Sequence, residues 1–313
     1  MKPQVKDLHI DKVLTEISVA YTNADFIADQ ILPRVYVEKQ SDKYWVFPGS
    51  FDVVDDRVRP GGIAREIEWE LSTDNYFCEG HAMRGAVYDR QRLNVDEGLD
   101  LDIATAENVM AQILRNREYA AAQLVFNENT YDAALRTTLR GTAQWSNYAN
   151  SDPFSDIQAG KKAVAQAIGI EPNTLVLGYE VWVTLRKHTG LMTLYDSQRK
   201  RLLTIDMMRE LFEIPNIVVG KAMYNTAPQG KTVTRGFIWG KHAALLYVPD
   251  RPAQKTPAFG YTFVWNGVNG VNGIVTYKYR NEDRHADIIE NEFYYDHKIV
   301  VQKAGYFIED AVA

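Results

Sequence analysis

The sequence of 313 residues contains a single cysteine, Cys78. A lone cysteine cannot form a disulfide within the chain, so a reducing compartment such as the cytoplasm suits folding, and we interpret Cys78 as a buried, unreactive thiol. Uninterrupted apolar runs of about 18 residues are also missing, and the N-terminal MKPQVKDLHID lacks the apolar centre of a signal peptide. We therefore expect neither export nor a membrane partner.

An excess of positive charge is missing as well, because 35 Lys and Arg oppose 41 Asp and Glu for a net charge of −6. This balance argues against a protein whose main task is to neutralise nucleic-acid phosphates, although it leaves room for a local basic patch. With 46% hydrophobic residues the chain can bury a large core, as one elaborate domain or two closely joined ones.

The usual signatures of catalysis are absent. The sequence has no G-x-S-x-G, no H-E-x-x-H, no G-x-G-x-x-G and no cysteine cluster for zinc. Its six histidines are scattered without metal-ligand spacing. The acidic pairs Asp55-Asp56 and Glu282-Asp283 lie beside turn formers or arginines, as in solvated turns. We predict no catalytic residue, no metal site and no cofactor.

The tripeptide Gly230-Lys231-Thr232, within NTAPQGKTVT at residues 225–234, matches the end of a phosphate-binding P-loop. A P-loop also needs a glycine five residues before its second glycine and a helix behind it. Position 225 is Asn, and the β-branched and aromatic residues that follow favour a strand. We interpret residues 225–234 as a surface loop without phosphate chemistry.

Two helices stand out in the pattern of apolar residues. Leu101 to Asn127 repeats apolar side chains at steps of three and four without internal Gly or Pro, and would be roughly 40 Å long, which suggests a spine. The second helix follows Ser151 or Asp152 as cap, with Pro153 in its first turn and Gly169 at its end.

Two strand patterns flank these helices. Before them, the chain is predicted to run as an extended arm past Pro33. The charged turn DDRVRPGG follows, and EIEWEL behind it alternates acidic with apolar residues, which predicts one limb of a long β-hairpin. A two-stranded hairpin alone is marginally stable, so its apolar face requires cover, which a neighbouring subunit supplies if the tip projects. After them, Leu175 to Leu177 forms a short strand before a single glycine and an amphipathic helix with Val181, Trp182 and Leu185, and further strands follow.

This order of elements resembles the major capsid proteins of tailed bacteriophages. The stretches that resemble the family follow one another along nearly the whole chain: FIADQILPRVYVEKQSDKYWVF, STDNYFCEGHAMRGAVYD, EPNTLVLGYEVWVTLRKH, FIWGKHAALLYV and YDHKIVVQKAGYFIEDAV.

The resemblance implies an α+β fold, the tailed-phage major capsid fold, with five segments. These are an N-terminal arm (1–40), an extended hairpin loop (41–73), a peripheral domain with the spine helix 101–127 (74–169), an axial α/β domain (170–284) and a C-terminal return to the peripheral domain (285–313). Its hairpin would lie across a neighbour, and its arm would reach along adjacent subunits.

The resemblance also implies a structural function without enzymatic activity: self-assembly into the pentamers and hexamers of an icosahedral phage head that encloses double-stranded DNA without sequence-specific contact. The protein would be part of the virion and would assemble in the host cytoplasm. The charges and apolar groups of the hairpin suit contacts between subunits. We predict these contact residues: Arg57, Arg59, Arg65, Glu66, Ile67, Glu68 and Trp69.

Further partners follow from the same resemblance. They are a portal protein, a separate scaffolding protein, since the sequence starts almost directly with the arm, and a decoration protein as an additional candidate. Some relatives join their subunits by isopeptide bonds, but nothing in the sequence pairs Lys39 or Lys43 with the required Asn and Glu. Two alternatives stay open: an encapsulin-type shell around a cargo enzyme, and an enzyme of an unrelated α+β fold.

Overall fold

The structure of the chain is a computed structural model. It describes residues 26–46, 57, 63, 72–94, 100–195, 202–227, 231–232, 234–252, 257–267 and 272–313, together with the backbone of His9–Ile10.

Helices and strands alternate along the described ranges. The helices are α1 (Ala28–Ile31), α2 (Asp89–Leu93), α3 (Leu101–Val125), α4 (Pro153–Ile168), α5 (Tyr179–Leu185), α6 (Thr189–Tyr195) and α7 (Ile205–Phe212). The strands are β1 (His9–Ile10), β2 (Arg34–Val37), β3 (Ser41–Val46), β4 (Ser72–Phe77), β5 (Glu79–Tyr88), β6 (Arg136–Thr138), β7 (Thr174–Gly178), β8 (Asn216–Gly220), β9 (Met223–Asn225), β10 (Arg235–Phe237), β11 (Ala243–Leu246), β12 (Gly260–Trp265), β13 (Ile274–Asn281), β14 (Ala286–Ile299) and β15 (Gly305–Glu309).

The spine helix α3 is the longest helix of the described ranges, with 25 residues. The Asp100 side chain caps it by accepting hydrogen bonds from the backbone N–H groups of Asp102 and Ile103. It ends at Val125, two residues before the predicted end, because Phe126 leaves the helical conformation. The Phe126 ring then packs edge-on against Trp239, with ring centroids 5.2 Å apart.

A six-stranded sheet packs against one side of α3. Its central strand is β14, which pairs with β5 along one edge and with β12 and β13, placed end to end, along the other. Alternate residues of β14 face the helix: Phe293 and Tyr295 pack on its apolar residues, and the Asn291 amide donates to the Ala106 carbonyl at 2.9 Å. The spine and this sheet form one rigid support for the segments attached to them.

A second, five-stranded sheet has the order β6-β15-β11-β7-β8. Strand β7, which lies between β11 and β8, is buried along its whole length, as expected for a strand with neighbours on both edges. One face of β7 and β11 packs with helices α5 and α7, and the other packs with the end of the spine and with Trp239. We call this sheet, the helices α4–α7 and the turn 238–240 that carries Trp239 the lobe.

Local signals correctly predicted the ends of α4. Asp152 caps the helix by accepting from the Ser155 backbone N–H, Pro153 occupies its first turn, and Gly169 ends it in the left-handed conformation at φ 73°. The predicted strand 175–177 and the following helix are also present, as β7 and α5.

Strand pairing crosses the five segments expected from the sequence. The strands β12 and β13, from the expected axial segment, pair with β14 from the C-terminal segment. The strand β15, at the end of the chain, instead pairs with β11 of the lobe. The division into axial and peripheral domains at those residue boundaries therefore stays a prediction.

Candidate subunit-contact surface

The predicted contact residues lie in the chain between β3 and β4. Within the described ranges lies Arg57, whose side chain is exposed. Arg59, Arg65, Glu66, Ile67, Glu68 and Trp69 lie outside them, as does the predicted strand EIEWEL. Another residue of the tip, Ile63, is described and is 97% exposed. The contact role of all seven predicted residues stays a prediction.

The two limbs of the hairpin pair at their base. The strands β3 and β4, which we call the hairpin base, run antiparallel in register from Ser41 opposite Phe77 to Val46 opposite Ser72. The Gln40 amide donates to the Cys78 carbonyl at 3.0 Å, and the Phe77 backbone N–H donates to Asp296 Oδ2 at 3.0 Å. The first bond joins the two ends of the hairpin base, and the second attaches it to β14 of the six-stranded sheet.

One face of the hairpin base packs on the sheet. Tyr44 and Tyr76 place their rings 5.3 and 4.6 Å from the ring of Phe263 in β12. The Tyr44 hydroxyl donates to Asp74 Oδ2 at 2.8 Å, and burial together with this bond raises the pKa of Tyr44. The inner face of the hairpin base is therefore held on the sheet by aromatic packing, and the Tyr44 hydroxyl at its edge has a hydrogen-bond partner.

The outer face of the hairpin base carries exposed aromatic groups. Trp45 and Phe77 point away from Phe263 and are 58% and 50% exposed. Large aromatic side chains held on a rigid surface are typical of protein interfaces, since they bury much area at little cost in conformational entropy. Neither residue was predicted from the sequence as a subunit contact.

Cys78 connects β4 to β5 and is fully buried, as predicted. Its Sγ lies 3.6 Å from the Phe263 carbonyl. Burial raises the pKa of the thiol to about 12, so the reactive thiolate is not populated near neutral pH.

The side chains of the hairpin base and its flanks form ordinary ion pairs. Lys39 Nζ lies 2.8 Å from Asp42 Oδ2, and both groups are exposed to solvent. Neither Lys39 nor Lys43 has an Asn–Glu pair among its recorded contacts within the described ranges.

One Ser–His contact looks like a nucleophile with its base. Ser151 Oγ lies 3.1 Å from His188 Nε2, but the hydroxyl donates its proton to the Asn147 carbonyl at 2.7 Å. The imidazole must then donate through Nε2, while its Nδ1 accepts from the Leu191 backbone N–H at 3.4 Å. A base that donates to the hydroxyl cannot remove its proton, so the pair anchors α6 instead of activating a nucleophile.

Other classes of site are missing from the part of the chain that is described. No group of three or more His, Cys, Asp or Glu side chains there could hold a metal ion. Among the helices of these ranges, none has the length and apolarity needed to cross a bilayer.

Asn225 ends β9, and residues 226, 227, 231, 232 and 234 lie outside helix and strand before β10, whereas residues 228–230 and 233 of the predicted loop lie outside the described residues. The two strands pair from Asn225 opposite Arg235 to Met223 opposite Phe237. Asn225 Oδ1 accepts from the Ala227 and Thr234 backbone N–H groups at 3.1 and 3.2 Å, which closes the loop at its base. A strand follows the loop, whereas a P-loop requires a helix there to direct N–H groups at phosphate.

Lys231→Ala is expected to change neither nucleotide binding nor stability, because Lys231 is exposed in this loop. Isothermal titration with ATP and magnesium should detect no binding to either protein, and thermal midpoints should agree. ATP affinity in the wild type that the variant loses would contradict the assignment of the loop.

Comparison with known proteins connects this geometry to a family. No family model matches the sequence. The major capsid protein of Burkholderia phage BcepMu is 30% identical over 306 residues, which cover 96% of this chain and 95% of that protein. The major capsid protein of Pseudomonas phage JBD67 is 32% identical over 262 residues, or 82% and 83% of the two chains.

The chain belongs to the family of phage major capsid proteins. Among solved structures, a phage-related protein from Bordetella bronchiseptica RB50 matches with a TM-score of 0.77 at 25% identity, covering 97% of this chain and 98% of that one. The mature capsid of bacteriophage PhiM1 matches with a TM-score of 0.57 at 11% identity over 99% and 92% of the chains.

The capsid family accounts for the fold as well. The fold is the α+β fold of tailed-phage major capsid proteins, with a structural role in the shell. An encapsulin from Synechococcus elongatus PCC 7942 shares this fold at a TM-score of 0.56 but is only 11% identical, with 97% and 96% of the chains covered. That likeness concerns the fold alone, so the encapsulin alternative is the weaker one.

Proposed function

We propose that the chain assembles into the pentamers and hexamers of an icosahedral phage head, which encloses double-stranded DNA without reading its sequence. The observation that carries the proposal is the outer face of the hairpin base, where Trp45 and Phe77 are exposed on a ribbon anchored by its inner face. A rigid aromatic surface of this kind is suited to a neighbouring subunit. The net charge of −6 suits a container that confines DNA and lets it leave.

Many weak contacts would hold such a shell together. In a closed symmetric assembly each subunit has several neighbours, and leaving requires that all its contacts break together. In this arrangement the part of the lobe within residues 170–284 points to the centre of each capsomer as the axial domain, and the spine lies at the periphery. The hairpin and the N-terminal arm reach the neighbours, with the predicted tip residues choosing the register by charge.

Other partners are proposed from the family. A portal protein would occupy one vertex, a separate scaffolding protein would guide assembly in the host cytoplasm, and a decoration protein is a further candidate on the outer surface. The chain itself would have no enzymatic activity. In the Ser151–His188 pair the imidazole donates to the hydroxyl, so this pair would not act as a nucleophile with its base.

The test of assembly is sedimentation velocity and negative-stain electron microscopy of the purified full chain, alone and with its scaffold. We expect capsomers or closed shells, because the exposed face of the hairpin base requires a neighbour. A protein that stays monomeric at high concentration under every salt condition would contradict the proposal. The contents distinguish the two shell types: nuclease-protected DNA in phage heads favours the capsid, and a copurifying cargo enzyme favours the encapsulin.

A further inference from the structure

The segment that precedes β2 is buried between the spine and the lobe. We call residues Phe26–Arg34 the arm root, because residues 1–25 of the N-terminal arm precede them. Its apolar residues lie in one cluster with the C-terminal half of α3 and with lobe residues that include Trp239. Ile27, Ala28, Ile31 and Leu32 are buried in this cluster.

A single carboxylate joins the three parts of this junction. Glu118 of the spine is 1% exposed, and its Oε1 accepts from the Ile27 backbone N–H at 2.8 Å and from the Trp239 indole N–H at 2.6 Å. Its Oε2 accepts from the Ala28 backbone N–H at 2.9 Å. Burial raises the pKa of Glu118, and these three donors act against that shift. One oxygen atom thus bridges the arm root and the lobe.

The lobe fixes the indole that reaches Glu118. Trp239 is fully buried, and a Cβ at Gly220 of β8 would lie 2.2 Å from its Cδ1 atom. The glycine therefore allows the indole to lie directly on the backbone of β8. Because Trp239 is held this tightly, its N–H group moves with the lobe and not independently of it.

A second set of charges fixes the arm root to the spine. Arg117 is 3% exposed, and its two terminal nitrogens lie 3.1 and 2.5 Å from the two Asp29 carboxylate oxygens. Arg34 binds the same carboxylate through two bonds of 2.7 Å. The bonds of Asp29 join only the spine and the arm root. The bond that reaches the lobe is the one between Glu118 and the Trp239 indole.

We propose that Glu118 couples the lobe to the N-terminal arm, so that displacement of the lobe loosens the arm root and release of the arm root loosens Trp239. The physical reason is that a buried carboxylate is held by its donors together. When the indole is withdrawn, the buried charge lacks one of its three donors, so water or a proton must take that place, and either change draws the carboxylate away from the Ile27 and Ala28 amides. The coupling is a property of the single subunit and does not require a closed shell.

The experiment removes the indole N–H from a distance. Trp239→Phe keeps an aromatic ring but deletes the donor, and it changes no atom of the arm root. We expect amide hydrogen exchange at Ile27 and Ala28 to accelerate about tenfold, the effect of one lost hydrogen bond to a charged group. Exchange is measured on unassembled subunits by mass spectrometry with residue-resolved fragmentation.

A matched control separates this coupling from general loosening. Phe126→Leu removes a ring that packs on Trp239 but leaves the bond between Trp239 and Glu118 in place. It should leave the exchange rates at Ile27 and Ala28 within about twofold of the wild type, because the bond between Trp239 and Glu118 is kept. Loss of a bond to a charged group would change these rates by a larger factor. Equal acceleration in both variants would overturn the proposal, and so would unchanged exchange in a folded Trp239→Phe protein.

The reverse direction provides a second test, which stands even where Trp239→Phe fails to fold. Asp29→Ala removes the carboxylate that fixes the arm root to Arg117 and Arg34. Since coupling between two sites is reciprocal, exchange of the Trp239 indole N–H should also accelerate. Nuclear magnetic resonance of subunits with labelled tryptophan measures it. A loosened arm root with an unchanged indole N–H would refute the coupling.

Discussion

Gly178→Ala is expected to prevent the lobe from folding, with a loss of more than about 4 kcal/mol in unfolding free energy. Gly178 ends the buried strand β7, and a Cβ there would lie 2.0 Å from the Gly240 carbonyl oxygen and 2.8 Å from that of Trp239. Both atoms are backbone, so no side-chain rotation can relieve the overlap. The two chain segments would have to separate, which would disturb the lobe at its centre.

Soluble yield and denaturant unfolding of the variant measure the effect. Gly141→Ala is the matched control, because Gly141 has a φ of 59° but no atom within 4 Å of its Cβ position. That control carries the strain of a left-handed alanine, about 1 kcal/mol, without an overlap. A Gly178→Ala protein as stable as the control would show that β7 and the turn at Gly240 do not approach this closely.

Features set by neighbouring residues were predictable from the sequence. The ends of α4 follow from Asp152, Pro153 and Gly169, each of which acts within one turn of the helix. Residues 225–234 were predicted to be a loop because the β-branched and aromatic residues behind them favour a strand, and the strand β10 is present there. In both cases the deciding contacts lie within a few residues, so the local pattern contains the information.

Features that depend on distant residues were not predictable. The spine ends at Val125, where the ring of Phe126 packs on Trp239, more than a hundred residues later. The pairing of β15 with β11 brings the end of the chain to the lobe, and no periodicity in either strand specifies that partner. Glu118 lay within the helical pattern as one polar residue among several, and its role depends on Ile27, Ala28 and Trp239.

The candidate contact surface also has features that the sequence predicts and features that depend on distant residues. The hairpin was predicted from a charged turn and an alternating limb that lie, apart from Arg57 and Ile63, outside the described residues, and it stays a prediction; the structure shows β3 paired with β4 on either side of that segment. Alternation in SDKYWV places Tyr44 and Trp45 on opposite faces, but it cannot say which face is inside. Phe263 decides this, since both inner tyrosines pack on it. Trp45 is thereby left as the exposed aromatic residue.

These adjacent residues should respond in opposite ways to truncation. Tyr44→Ser is expected to destabilise the subunit by about 2 kcal/mol, because the half-buried ring leaves Phe263 and Asp74 loses its hydroxyl donor. Trp45→Ser should change subunit stability by less than about 0.5 kcal/mol, since the ring is 58% exposed. Thermal unfolding of unassembled subunits measures both changes.

Assembly should show the reverse order of effects. Burying one tryptophan ring at an interface contributes on the order of 2 kcal/mol, and a shell repeats that contact at every subunit, so Trp45→Ser should prevent closed shells from forming.

Replacing the tip 55–65 by a short Gly-Ser turn should likewise leave the subunit folded and block closure. Wild-type shells should loosen at high salt, which screens charge pairs beyond about 8 to 10 Å.

Electron microscopy and sedimentation at low and high salt compare the wild type with these variants. Normal shells from Trp45→Ser would place the contact elsewhere, and normal shells from the tip variant would remove the tip from the contact. Unfolding of the tip variant would assign residues 55–65 to the core. Comparing Tyr44→Ser with Trp45→Ser makes the result specific. If the outer face is an interface, Trp45→Ser gives the more stable subunit of the two and is nevertheless the variant that fails to assemble.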